Sequence, residues 1–431
     1  MVHFQQDEVK TAKTGGSNNL TFQITPEPSL TAEYKVKVEH TDINMSGDEN
    51  NTETPIRRPV LKKALLPCLL MMKICGLYGI NRNKRGKWAY WIHHVYMLLV
   101  NLIIISAFVF NITLLWYSES TNDYYMVTIL VIYGLKSVIQ GLTLLRICHT
   151  NHIFKFIKNL ENFLKEIKLQ NCSVVECRFL RKCWANFVIN IVGILLFTIA
   201  IVVMAFGAGT SQVDMLMKKF LSTASNGIYF KTIADIMLLT AWITPVALCV
   251  VLINSLTYTF KEFYRYVELT KQKDDICRKM FLRDVRRKFL RLTDLCGDFD
   301  NLMSLMMMFS YFIDIVMVCL ILRMVVFAFT DIPSRLSAIA WLCLPVFSLM
   351  TLSKRASDLY DTGETMRKVI QELQLDNLTL DDKVELDLLM FHLGSEPVVM
   401  TIWKMIPLNR SIIVSIFVSI LTYFAMLISF G

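Results

Sequence analysis

Charge is scarce in this 431-residue chain: Asp, Glu, Lys and Arg make up 19%, against roughly a quarter in soluble domains. The length alone would allow about two or three soluble domains, but 54% of the residues are hydrophobic, with 27 Phe and 23 Met. Mean hydropathy is +0.45. A second lack is a signal peptide: residues 1–56 are polar, rich in Thr, Asn, Glu and Lys, with no apolar core. Targeting then falls to the first transmembrane helix. Enzyme signatures are missing as well. There is no Gly-x-Ser-x-Gly, no phosphate-cradling glycine loop and no His-Glu-x-x-His. Cys148, His149 and His152, with Cys172 and Cys177 downstream, have metal-ligand residue types, but their spacing fits no zinc module. The expectation is no enzyme, no metal and no cofactor.

What remains is a set of long apolar runs. A spanning helix needs about 20 mostly apolar residues, and seven segments qualify: 90–115, 125–147, 184–207, 233–258, 302–328, 335–353 and 410–430. Pro245 and Pro345 interrupt the fourth and sixth, as kinks a bundle tolerates. The net charge of +9 lies in clusters between these runs, where it sets topology and does not grip nucleic acid. The loops at 146–183, 259–301 and 354–410 carry 26 basic residues, and the alternate loops at 116–124, 208–232 and 329–335 carry 4. Positive-inside then places the N-terminus in the cytosol and Gly431 outside. Six of the seven glycosylation sequons fall on the cytosolic side of this topology, and Asn111 lies within the first span. No cysteine falls in an outer loop, so free thiols are expected.

The organisation reads as a disordered cytosolic tail over 1–58, an interfacial or re-entrant lead-in helix over 59–89, six spans forming a bundle over 90–353, a cytosolic helical anchor over 354–409 and a last span over 410–431. Residues 151–183 and 259–301 carry apolar positions at three- and four-residue spacing, so spans three to five are expected to continue into the cytosol as long helices. The fold class is an all-α membrane protein with seven transmembrane helices.

Ionisable residues at lipid depth are costly and therefore informative. Lys136 and Asp314 lie near the middle of the second and fifth spans, and Asp235 and Arg323 toward the outer side. Two readings stand: structural pairing, or a polar wall of an outward-opening ligand pocket lined further by Trp116, Tyr133, Trp242 and Trp341. Asp294, Asp298 and Asp300 read as a helix cap and solvated face. In the last span Ser415, Ser419, Thr422 and Ser429 follow helical spacing, which suits close helix packing or a pore.

The C-terminus reads Thr422-Tyr423, five hydrophobic residues, then Ser429-Phe430. This resembles the ending of insect gustatory receptors, with Ser in place of Gln. The approach from Pro397 through Trp403, Ile406 and Leu408, and the start at Leu66-Pro67 and Gly76-Leu77, resemble the same family. The resemblance implies a tetrameric ligand-gated cation channel in the plasma membrane of sensory neurons. Its ligand would be a small-molecule tastant, sugar or bitter, and its assembly a homotetramer or a heteromer with related subunits. By carry-over, Thr422, Tyr423, Met426, Leu427 and Ser429 belong to the pore helix, with Ser429 or Met426 at the constriction. A G-protein-coupled receptor is the rival reading with seven spans, but the orientation is reversed and neither Asp-Arg-Tyr nor Asn-Pro-x-x-Tyr is present. A secondary transporter would show paralogous halves, which are absent here.

Overall fold

A computed structural model describes residues 60–77, 87–116, 121–167, 173–207, 227–271, 278–328, 332–371, 380–395 and 398–430. The expected tail at 1–58 lies outside them. The described chain is almost wholly helical: α1 Val60–Ile74, α2 Lys87–Trp116, α3 Thr121–His149, α4 His152–Ile167, α5 Ser173–Gly207, α6 Gly227–Lys271, α7 Arg278–Arg323, α8 Ile332–Gln371, α9 Leu380–Ser395 and α10 Arg410–Phe430. A short hairpin with two-residue strands, β1 Thr401–Ile402 against β2 Ile406–Pro407, lies between α9 and α10.

Six of these helices are long and apolar enough to cross a membrane: those holding Trp91–Trp116, Tyr124–His149, Cys177–Ile199, Thr232–Thr270, Met280–Phe327 and Arg410–Ser429. The segment expected as a further span, 335–353, is helical within α8, although α8 is not among the six. The expected continuation of spans into long helices is seen directly, since α6 and α7 run 45 and 46 residues without a break. Pro67, Pro245 and Pro345 all stay inside helices.

Helix α1 is better packed than a surface lead-in. Leu61, Leu65, Cys68 and Met72 recur at helical spacing and are buried, while Leu66, Leu70 and Ile74 on the other face are exposed. It stops at Gly76, which has φ +65°. The Leu77 amide returns to the Met72 carbonyl at 2.8 Å and the Gly76 amide to that of Lys73 at 3.3 Å. This is the Schellman arrangement, and the left-handed position favours glycine.

Helix α6 is the axis of the packing: 83% of its apolar window is buried inside the chain, whereas none of the α10 window is. The helix α10 therefore leans on the bundle with few buried side chains. Its start is nevertheless held firmly. Asn409 caps it, accepting from the Ile412 amide at 3.0 Å, and Arg410 reaches Asp361 on α8 at 2.7 Å. Helix α9 docks on α7 through Glu385, which pairs with Arg283 at 3.3 Å and Arg286 at 3.0 Å. The nine described cysteines are free thiols.

Candidate functional site

The polar centre of the bundle is built on α3 and α7. Lys136 donates to Asp314, and both side chains are 0% exposed. One helical turn away, Gln140 Nε2 donates to Ser310 Oγ at 2.6 Å. The steps run 136 to 140 on α3 and 314 to 310 on α7, so the two helices are antiparallel at this ladder. A third helix closes it: Tyr133 Oη donates to the Asp235 carbonyl at 3.1 Å, and Ser137 Oγ lies 2.9 Å from the Leu238 carbonyl, both on α6. Two charges in a dry interior are stable only when they face one another and find further partners. Lys136 finds one in the ring of Trp242, whose centroid lies 4.2 Å from its Nζ.

An aromatic wall stands beside the pair. Tyr133 meets Trp242 edge-on at 5.3 Å and Trp341 at 5.6 Å, and Phe197 meets Trp341 at 6.1 Å. Between α5, α6 and α8 lies a cavity of about 40 Å³, lined by Asn190, Trp242, Val246, Phe347, Ser348 and Thr351 among others. That volume holds about three or four waters, since one water centre needs roughly 10–15 Å³; drug-sized ligands occupy about 300–1,000 Å³. Trp242 is shared, with one side toward the cavity and the Lys136 amine over its ring. The Ser348 hydroxyl lies beside the Asp314 carboxylate, and Gln140 Oε1 is buried without a hydrogen-bond partner among the described residues.

The structure thus brings together Tyr133, Lys136, Trp242, Asp314 and Trp341 from the sequence expectation. Asp235 joins through its backbone carbonyl, while Arg323 lies over the ring of Tyr125 at 4.5 Å. Trp116 stands apart, 85% exposed at the end of α2, while Leu114 in the same turn is buried against Val127 of α3. Gln140, Ser137, Ser310 and Ser348 were not singled out in the sequence. A signal existed for two of them, since Gln140 and Ser310 stand one turn from the ionisable residues they accompany.

Asp300 corrects another expectation. It lies inside the continuous α7, so it caps no helix, and it is half-buried. Its carboxylate accepts from the Thr401 amide at 2.8 Å and from the Thr401 hydroxyl at 2.6 Å, fastening the hairpin to α7. Asp294 and Asp298 are exposed, as expected of a solvated face.

On α10 the residues divide by face. Ser411, Ser415, Ser419, Thr422, Met426 and Ser429 fall within about 80° at 100° per residue, and all are exposed. Ser415, Ser419, Thr422 and Ser429 each donate to the carbonyl four residues back, at 2.9–3.0 Å. The half-buried positions, among them Ile416, Tyr423 and Leu427, occupy the opposite side with buried Ile420. Of the five expected pore residues, Thr422, Met426 and Ser429 thus face away from the chain's own bundle, and Tyr423 and Leu427 face toward it.

Residues 65–431 match the family described as 7tm chemosensory receptor. The fold is similar to that of the insect olfactory receptor OR5 from Machilis hrabei, solved alone and in complex with eugenol. In both cases the TM-score is 0.67 at 15% identity, over 86% of this chain and 99% of that one. No curated protein matches the chain in sequence. Since the family match runs from α1 to the end of α10, the chain belongs to the 7tm chemosensory receptor family.

Proposed function

We propose that the chain is a gustatory receptor: a ligand-gated, nonselective cation channel opened by a small-molecule tastant, sugar or bitter. In this reading it resides in the plasma membrane of sensory neurons, as a homotetramer or with related subunits. It has seven spans, 335–353 of α8 being the sixth, with its N-terminus in the cytosol and its C-terminus outside.

The observation that carries the reading is the outward side of α10. One strip presents hydroxyls and Met426, and the adjoining strip presents Val414, Val418, Leu421 and Ile428, all exposed. A lone helix in lipid gains nothing from a hydroxyl strip. In a ring of identical helices the hydroxyls face a water-filled axis and the apolar strip meets the neighbouring helix. Because each of the four hydrogen-bonded hydroxyls already donates to its own helix, its oxygen lone pairs are left for permeating cations or water.

The ligand would enter beside Trp242, where the aromatic wall, the largely apolar cavity and the buried ion pair meet. The cavity is far smaller than a tastant, so binding requires the helices around it to separate. A ligand that binds the separated arrangement more tightly shifts the population toward it, and one without that preference opens nothing. The olfactory receptor of similar fold was solved with eugenol, which adds phenolic volatiles to the ligands worth applying.

The test is electrical. Cells expressing the chain with an epitope after Gly431 are stained without permeabilisation and perfused with sugars, bitter compounds and eugenol. The expected result is outside staining and a ligand-evoked cation current whose reversal potential or block changes in Ser429→Gln. Staining only after permeabilisation overturns the topology. Ligand-evoked current that ignores both Ser429→Gln and a thiol reagent applied to Ser419→Cys removes α10 from the pore.

A further inference from the structure

The short hairpin before α10 carries an unusual turn. Trp403 and Lys404 have φ of 52° and 57°, and neither is glycine. Left-handed backbone costs such residues roughly 1–2 kcal/mol each, and strain of this kind persists where surrounding structure over-determines it. Here the surroundings are visible. The Trp403 amide donates to the Ser304 carbonyl at 3.4 Å, Asp300 holds Thr401 from the same helix, and Met400 and Leu408 on either side of the hairpin are buried. The base is clamped while the tip projects: Trp403 is 59% exposed, Met405 74%, and Lys404 is exposed between them.

The level of this tip can be read along α7. Asp314 lies midway along the apolar run 302–328, and Ser304, which touches Trp403, is ten residues before it. At 1.5 Å per residue that is about 15 Å, half of a hydrocarbon core of about 30 Å. A second measure agrees. Helix α10 has 21 residues, about 31 Å of rise, so its first residue, Arg410, stands at a membrane face, and the hairpin immediately precedes it. Trp184 is exposed on α5 at the same end of the bundle. Its neighbour Asn186 accepts from Arg355 at 3.3 Å, two residues beyond Ser353, which meets Tyr311 on the hairpin side of Asp314. A tryptophan, a lysine and a methionine on a rigid tip at this depth have the chemistry of the membrane–water boundary: an amphipathic ring at headgroup level, an apolar chain below it and an ammonium beside the phosphates.

We propose that the Trp403-Lys404-Met405 tip is inserted in the interfacial layer of the bilayer, at the face where α10 begins. The hairpin is the covalent approach to α10 and is clamped to α7, so the tip ties the base of α10 to the membrane surface as well as to the bundle. The partner is lipid, not a second protein, and the proposal rests on α10 being a span, not on which ligand opens the receptor.

The experiment uses the full chain in phosphatidylcholine vesicles, with tryptophan fluorescence of the parent and of Trp403→Phe compared to isolate the Trp403 component. Size-exclusion behaviour and melting temperature verify that the variant folds as the parent does. The six remaining tryptophans report that the protein is in the membrane. The Trp403 component is expected to be quenched more by a lipid spin-labelled near the headgroup than by one labelled deep in the chain, and to be shielded from aqueous iodide. A component quenched by iodide and indifferent to both lipids places the tip in water and overturns the proposal. A component that none of the three quenches places it against a neighbouring subunit and overturns it equally.

Discussion

Replacing Lys136 by Met would leave the Asp314 carboxylate buried without its counter-charge, and Asp314→Asn would do the same to the Lys136 ammonium. Both groups are fully enclosed, so solvent cannot screen the survivor. Removing one partner of a buried pair costs about 3–5 kcal/mol, and the two single costs together reach about 6–10 kcal/mol. In the double variant no charge remains. Its residual penalty is one buried amide, of order 1–3 kcal/mol if it stays unbonded, and Trp242 then packs against a methionine. The coupling energy should therefore be at least about 3 kcal/mol, against about 0.5 kcal/mol or less for sites that do not interact. Unfolding of the purified protein in mixed detergent micelles, titrated with dodecyl sulfate, measures all four corners of the cycle. A double variant as unstable as the sum of the singles would refute the pairing and the view that α3 and α7 are joined by charge.

Two further perturbations follow from close contacts. A Cβ added at Gly363 on α8 would lie 2.6 Å from Val398 Cβ, so Gly363→Ala should cost about 1–3 kcal/mol by overpacking. Melting temperature should recover with Val398→Gly but not with Val398→Ala, which keeps the offending atom; equal recovery would mean another contact is responsible. Asp300→Ala should remove both bonds to Thr401, at roughly 1.5–3 kcal/mol for a charged acceptor. Hydrogen exchange should then speed up over 398–408 while the core of α7 stays protected, and unchanged exchange at Thr401 would show that the hairpin is held by other means.

Much of the architecture was legible before any coordinates, because membrane helices are a one-dimensional problem. Each must satisfy its backbone internally and must be apolar for about 20 residues, so α2, α3, α5, α6, α7 and α10 announce themselves as runs. The membrane class and the family resemblance followed, and the family match across 65–431 upholds them. The buried pair was also within reach, since two isolated charges at equal depth in different spans have few other places to go.

What the sequence left open concerns which side of a helix faces what, and which distant segments meet. Nothing local distinguishes Trp116 from Trp242. One is exposed at a helix end, and the other lies under a lysine at the start of the stretch 241–253, where the axial helix is buried on every face. Asp300 looked like a surface carboxylate because its partner, Thr401, is about a hundred residues away and pairs only once the hairpin folds back on α7. Gly363 is unremarkable until Val398 crosses it. Composition and periodicity fix what enters the membrane, since that depends on each segment's own transfer energy. The ion ladder, the clamped hairpin and the outward hydroxyl strip of α10 depend on contacts between segments, and those exist only in the folded chain.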